Sequence, residues 1–175
     1  DRNKILESRS IEGVPVSEMV KGEERFIAAD LKLMQIFLYE QGALLETIPI
    51  VSKGKPGSYW ETPTGRYDVI TKEESHFSSF GEVYMPYSMQ FFGNFFIHGW
   101  PYYPDGSPVS AGYSGGCIRL STSDAKKVYD FAERKTPIFV YNESNKDDFL
   151  ETVRVKNEPL PKVSAEAFIV ADVYT

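Results

Sequence analysis

"FFIHGWPYYPDGSPVSAGYSGGCIRL", residues 95–120, holds the only cysteine of the chain, Cys117, and one of its two histidines, His98. A nucleophilic cysteine needs a base, because a free thiol has a pKa of about 8.5 and yields little thiolate at neutral pH. It also needs backbone donors for an oxyanion and an open approach for substrate. The run Ser114-Gly115-Gly116-Cys117 can meet the last two needs. Its glycines allow positive φ and a close approach to the backbone, and the N–H groups of Gly115, Gly116 and Cys117 can converge on one oxygen. His98 ends an apolar run just before Gly99, and an imidazole titrating near neutrality can serve as base and then acid. The bland alternative stays open at this point. A lone cysteine in an apolar run is commonly a buried small hydrophobe, and a lone histidine beside glycine a turn or core residue.

The whole sequence has 175 residues, 42% of them hydrophobic and 14% aromatic, enough to furnish a real core. A net charge of −6 argues against nucleic acid as partner, which calls for a cationic surface. No apolar run approaches the length of about 18 residues that a transmembrane helix requires. One cysteine rules out an internal disulfide, and two histidines with one cysteine are too few for a usual structural zinc site. The chain opens on Asp1, which reads as an excised part of a longer protein.

Residues 1–24 are polar without sustained period and are expected to form a linker or arm. In "DLKLMQIFLYEQGALLETIPIVSKG", residues 30–54, strands are expected at 33–40 and 43–51 about a Gln41-Gly42 turn, with Met34, Ile36 and Leu38 sharing a face. "GKPGSYWETPTG", 54–65, is a turn-rich loop, and "RYDVIT" a further strand. "MPYSMQFFGNFFIHGW", 85–100, gives two strands broken at Gly93-Asn94. "LSTSDAKKVYDFAERKTP", 120–137, predicts a helix capped by Ser121 with Asp124, carrying an apolar stripe of Val128, Phe131 and Ala132 and stopped by Pro137 before the strand "IFVYN". The result is a mainly β domain over 25–142, followed by a linker at 143–162 and a strand-like end at 164–175.

Several pieces in register resemble one family. "IHG" with "SGGCIRL", the "ETPTGRY" turn at 61–67, "MPYSMQFF" at 85–92 and the hairpin within 30–54 resemble the L,D-transpeptidase catalytic domain of the YkuD type. The resemblance implies an L,D-transpeptidase-like β-sandwich with one or two short helices. It implies a cysteine-dependent acyltransferase of bacterial cell-wall biogenesis, acting outside the membrane. Its substrates would be peptidoglycan stem peptides, as donor and as acceptor, with no cofactor or metal. Cys117 would be the nucleophile and His98 the base, with a carbonyl near Gly99 orienting the imidazole. Ser114 would shape the site, and Gly115, Gly116 and Cys117 would supply the oxyanion hole. Position 115 departs from the pattern, being Gly where many members have His.

The implied reaction joins two stem peptides in a 3→3 cross-link through a Cys117 thioester, with release of D-Ala. Water as acceptor would make the same site an L,D-carboxypeptidase. A binding domain that kept the fold, or a thiol protease, are further alternatives that intact Cys117, His98 and Arg119 and the companion motifs disfavour. Arg119 is expected to hold the loop or attract a substrate carboxylate. Trp100, Tyr102 and Tyr103, in a loop stiffened by three prolines, are expected to line the cleft. Tyr87 and Met89 are placed equally in the cleft or the core. His76 is expected in a surface loop. The end of the chain resembles the entry strand of penicillin-binding D,D-carboxypeptidase domains, against a plain tail as the alternative.

Overall fold

The computed structural model describes residues 25–41 and 43–142. The expected N-terminal arm, the linker and the terminal strand lie outside the described residues. The described chain falls into two compact units, one holding residues 25–47, 64–67 and 137–142, the other residues 48–63 and 68–136. It is mainly β, with two sheets of mixed strand direction and, among the described residues, one helix.

The first unit is organised by a five-stranded sheet. β1 (Arg25–Asp30), β2 (Gln35–Glu40), β3 (Ala43–Pro49), β4 (Gly65–Asp68) and β9 (Pro137–Tyr141) lie in the order β3-β2-β1-β9-β4. β1 runs antiparallel to β2 and parallel to β9, with Ala28 opposite Phe37 and Phe139. The expected hairpin forms, with Gln41 at φ 54° in its turn. Ile36 and Leu38 share a face as expected, Met34 falls in the turn before the strand, and Phe37 and Tyr39 on the opposite face are buried as well. A central strand covered on both faces reads as a continuous apolar run. Phe26 stacks on Tyr39 at 4.7 Å and meets Phe139 edge-on at 5.5 Å.

The second unit holds a four-stranded sheet in the order β5-β6-β7-β8: β5 (Thr71–Ser78), β6 (Val83–Phe92), β7 (Phe95–His98) and β8 (Ile118–Arg119). β6 and β7 form the expected pair about Gly93, whose φ of 51° suits glycine, and Gln90 Nε2 donates to the Gly93 carbonyl at 2.7 Å. His76 lies in β5 rather than in a loop and stacks on Phe96 at 4.8 Å. Polar "TKEESHFS" conceals this strand because none of its side chains is fully buried and half of them are exposed.

Helix α1 (Thr122–Phe131) packs on β6 and β7 through Ala125 and Val128. Ser121 caps it, accepting from the Asp124 N–H at 3.2 Å. The Asp124 carboxylate lies 3.6 Å from Lys127. The helix ends at Phe131, six positions before Pro137, because Ala132 leaves helical dihedrals and Lys72 from β5 takes over the free carbonyls. Its ammonium donates to Tyr129 O and Ala132 O, each at 2.7 Å, and lies over the Tyr129 ring. A cation at this end also suits the helix dipole. Pro137 instead opens β9.

Candidate active site

The site lies wholly in the second unit. β7 and β8 are parallel, with Ile97 opposite Ile118 and His98 opposite Arg119. Side chains alternate across a sheet, so buried Ile97 and Ile118 share one face and His98 and Arg119 the other. One step before Ile118, Cys117 falls on the face of His98. Residues nineteen positions apart in sequence are thus placed on one face of the sheet by one short parallel pairing.

A kink in β6 holds the histidine corner. Tyr87 has φ 52°, Ser88 Oγ donates to Met85 O at 2.8 Å, and Pro86 O accepts from the Gly99 N–H at 2.7 Å. Gly99 sits under the start of α1, where an added Cβ would lie 3.0 Å from the Thr122 backbone and 3.1 Å from Pro86. The His98 ring is 1% exposed, and its Nδ1 is 2.6 Å from the Gly99 carbonyl. A carbonyl only accepts, so Nδ1 carries the proton and Nε2 keeps its lone pair. The neutral ring is therefore in the tautomer a general base needs. Burial lowers the His98 pKa to about 4, against the Gly99 hydrogen bond; Arg119 and His76 lower it further.

The cysteine loop is tied at several points. Ser114 Oγ donates to Cys117 O at 2.6 Å and accepts from the Gly116 N–H at 3.0 Å. Gly116 thus has an internal partner, while the expected oxyanion role of its neighbours Gly115 and Cys117 meets no such competitor in the loop's side chains. Gly116 has φ 116°, and an added Cβ would collide with the Phe95 ring. Gly115 is different: its added Cβ would meet only Trp60, at 3.9 Å. The missing histidine at 115 therefore reflects no steric demand of the backbone.

Cys117 itself is half-buried, with Sγ 3.7 Å from Asn94 O in the β6–β7 turn. Burial pushes its thiol up to about 11, against the Phe96 N–H and the charge of Arg119. With His98 held low, burial favours the neutral form of each group.

Arg119 is anchored through its backbone to Ser52, by an N–H···O bond of 2.9 Å, and its guanidinium lies 5.3 Å from the Trp100 ring. Its Nε is buried and without a hydrogen-bond partner among the described residues. Trp100 donates from Nε1 to Val109 O at 2.8 Å, closing the loop that joins β7 to the cysteine. Tyr103 is close enough to Arg119 to act on it electrostatically. Tyr102 instead pairs with Tyr84 by two backbone hydrogen bonds and stacks on its ring at 5.5 Å. Tyr87 turns to the helix, edge-on to Tyr129 at 5.4 Å. Met89 is fully buried opposite Ile97, which settles its open reading in favour of the core.

Two residues that sequence reasoning left without a role tie the loop from below. Thr62 Oγ1 accepts from the Gly54 N–H at 2.9 Å and donates to the Gly116 carbonyl at 2.8 Å. Ser52 Oγ donates to Gly112 O at 2.5 Å. The Thr-Pro-Thr-Gly signature marks the position of Thr62, but its partner lies 54 residues away. Among the described residues no group of three His, Cys, Asp or Glu side chains is placed to hold a metal.

The model of the L,D-transpeptidase catalytic domain family, YkuD, matches residues 24–140. The chain belongs to this family. Among solved structures it is similar to an L,D-transpeptidase from Stackebrandtia nassauensis, at 25% identity and a TM-score of 0.58, over 68% of this chain and 56% of that one. It is also similar to a fused Zn-dependent amidase/peptidase/peptidoglycan-binding domain protein from Clostridium acetobutylicum, at 28% identity and 0.56, over 67% and 52%. A third is the Enterococcus faecium L,D-transpeptidase in a cysteine-to-serine mutant, at 27% and 0.54, over 68% and 50%. The chain thus spans about half the length of these solved structures. No curated protein matches it.

Proposed function

We propose that the chain is a peptidoglycan L,D-transpeptidase working through a Cys117 thioester at the cell wall, outside the membrane. The observation that carries this reading is the His98 Nδ1–H···O=C bond to Gly99, which leaves Nε2 as a base on the face of the sheet that Cys117 shares. Family membership supports the reaction class.

The high thiol and low imidazole pKa values favour proton transfer during attack rather than before it. Sγ bonds to the carbonyl carbon of an L,D peptide bond while its proton moves to His98 Nε2. The Gly115 and Cys117 N–H groups are the donors assigned to the resulting oxyanion. Collapse breaks the C–N bond; the imidazolium returns its proton to the departing D-Ala amine, leaving a thioester. The amine of a second stem peptide then attacks the thioester, giving up a proton to His98 and releasing the thiol. Arg119, a half-buried cation beside Trp100, suits a carboxylate of the stem peptide.

The test is incubation with purified tetrapeptide muropeptides, followed by mass spectrometry beside Cys117→Ala. Loss of D-Ala with 3→3 dimers, absent in the variant, supports the proposal. Loss of D-Ala without dimers makes the site an L,D-carboxypeptidase. Products that persist in Cys117→Ala would refute the thioester route.

A further inference from the structure

Beside the cysteine loop stands an aromatic ledge that the mechanism does not use. Tyr59 is 89% exposed, Phe80 76% and Trp60 44%. Tyr59 meets Trp60 edge-on at 4.9 Å with planes 88° apart, and Phe80 leans on Trp60 at 5.6 Å. Three large rings clustered in water expose apolar surface whose removal from water by a covering partner is favourable, and such patches mark interaction sites.

The ledge is held in place and joined to the active site. Gly57, at φ 78°, turns the chain, and its N–H donates to Glu61 Oε1 at 3.1 Å. Ser58 Oγ accepts from the Trp60 N–H at 3.0 Å. Two positions after Trp60, Thr62 hydrogen-bonds the Gly116 carbonyl, and the Trp60 ring is what faces position 115. The ledge is thus continuous with the loop that carries the nucleophile.

We propose that Tyr59, Trp60 and Phe80 form a saccharide-stacking subsite for the glycan to which the donor stem peptide is attached. This rests on the peptidoglycan reading above. A pyranose ring has an apolar C–H face and a polar rim, and an aromatic residue with a polar tip matches both. The Tyr59 hydroxyl and the Trp60 indole N–H have no protein partner among the described residues and remain for sugar hydroxyl and acetamido groups. The rings carry no charge, whereas the stem peptide bears carboxylates and finds its cation at Arg119. A neutral sugar is the part of the substrate that suits the ledge.

Two measurements test this. The first titrates the protein with a soluble, peptide-free oligosaccharide of N-acetylated hexosamines and follows the Trp60 indole N–H by NMR, assigned with Trp60→Phe. Saturable shifts are expected in the millimolar range, with affinity reduced about 3- to 10-fold in Tyr59→Ala and in Phe80→Ala. No shift at about 50 mM ligand, a millimolar affinity being the expected scale, overturns the proposal. So does a shift that follows protein concentration in the absence of sugar, which would make the ledge a self-association surface. The second compares kcat/KM for a disaccharide-tetrapeptide and the free tetrapeptide. A preference for the disaccharide donor that collapses in Tyr59→Ala supports the subsite, and equal values in the wild type overturn it. Failure of both donors with intact sugar binding refutes the transpeptidase reading alone.

Discussion

Replacing Gly116 by alanine should damage the site far more than the same change one residue earlier. At Gly116 the backbone has φ 116°, and a Cβ would collide with the Phe95 ring and lie 3.3 Å from the Trp60 carbonyl. A non-glycine residue in such a conformation costs about 1–3 kcal/mol. Forcing a methyl group into packed surroundings costs about 1–3 kcal/mol more. Gly116→Ala should therefore lose about 4 kcal/mol, whereas Gly115→Ala, whose Cβ meets only the Trp60 ring at 3.9 Å, should stay within about 0.5 kcal/mol of the wild type. Urea unfolding followed by tryptophan fluorescence reads the difference directly. With a slope of about 2 kcal/mol/M, the Gly116→Ala midpoint should fall by about 2 M. Phe95→Ala removes the ring but not the backbone strain, so a double-mutant cycle should return a favourable coupling of about 1–3 kcal/mol and incomplete recovery. Equal midpoints for the two alanine variants, or a zero coupling with Phe95, would refute the assignment of Gly116 as the sterically required glycine.

The buried pair should shape the pH dependence in two windows. His98, at about 4 in the fold and 6.5 ordinarily, binds its proton more readily when unfolded. Its contribution of about 3 kcal/mol is present above pH 6.5 and lost as pH falls to 4, and His98→Gln should flatten that acid limb in urea midpoints. Cys117, raised from 9.0 to about 11, favours the fold below pH 9 and loses about 3 kcal/mol as pH rises through 11. Alkylation of Cys117 should accordingly show an inflection near 11 and run about 100-fold slower at pH 7 than a free thiol; an inflection below 8 would contradict the enclosed thiol. Thr62→Val should lose about 3 kcal/mol in unfolding experiments by stranding the Gly54 N–H and the Gly116 carbonyl, while Thr62→Ser should retain most of the stability. Lys72→Met should lose about 2 kcal/mol by stripping the end of α1 of its two hydrogen bonds, with a matching loss of helical signal on mild heating.

The local chemistry of the chain was legible where short-range rules govern it. Ser121 capped the helix as its spacing predicted, Gly93-Asn94 broke β6 from β7, and Cys117 with His98 stood out as the only thiol and one of two imidazoles. β5 escaped notice because an exposed strand of charged residues carries no apolar signal, and the helix end was misread because Lys72 acts there from another element. Tyr87 and Met89 could be separated only by the fold, since strand spacing alone does not say which face is covered.

What the sequence determined by itself was the inventory: a thiol, an imidazole, a glycine pair and the turn motifs that assign the family. Tertiary structure decided their chemistry. The parallel β7–β8 register puts Cys117 on the face of His98, the Gly99 carbonyl selects the tautomer, and burial favours the neutral form of each group. The reason is physical. Covalent identity is local, whereas a proton's position and a charge's cost depend on the groups and the water that the whole fold brings near or shuts out.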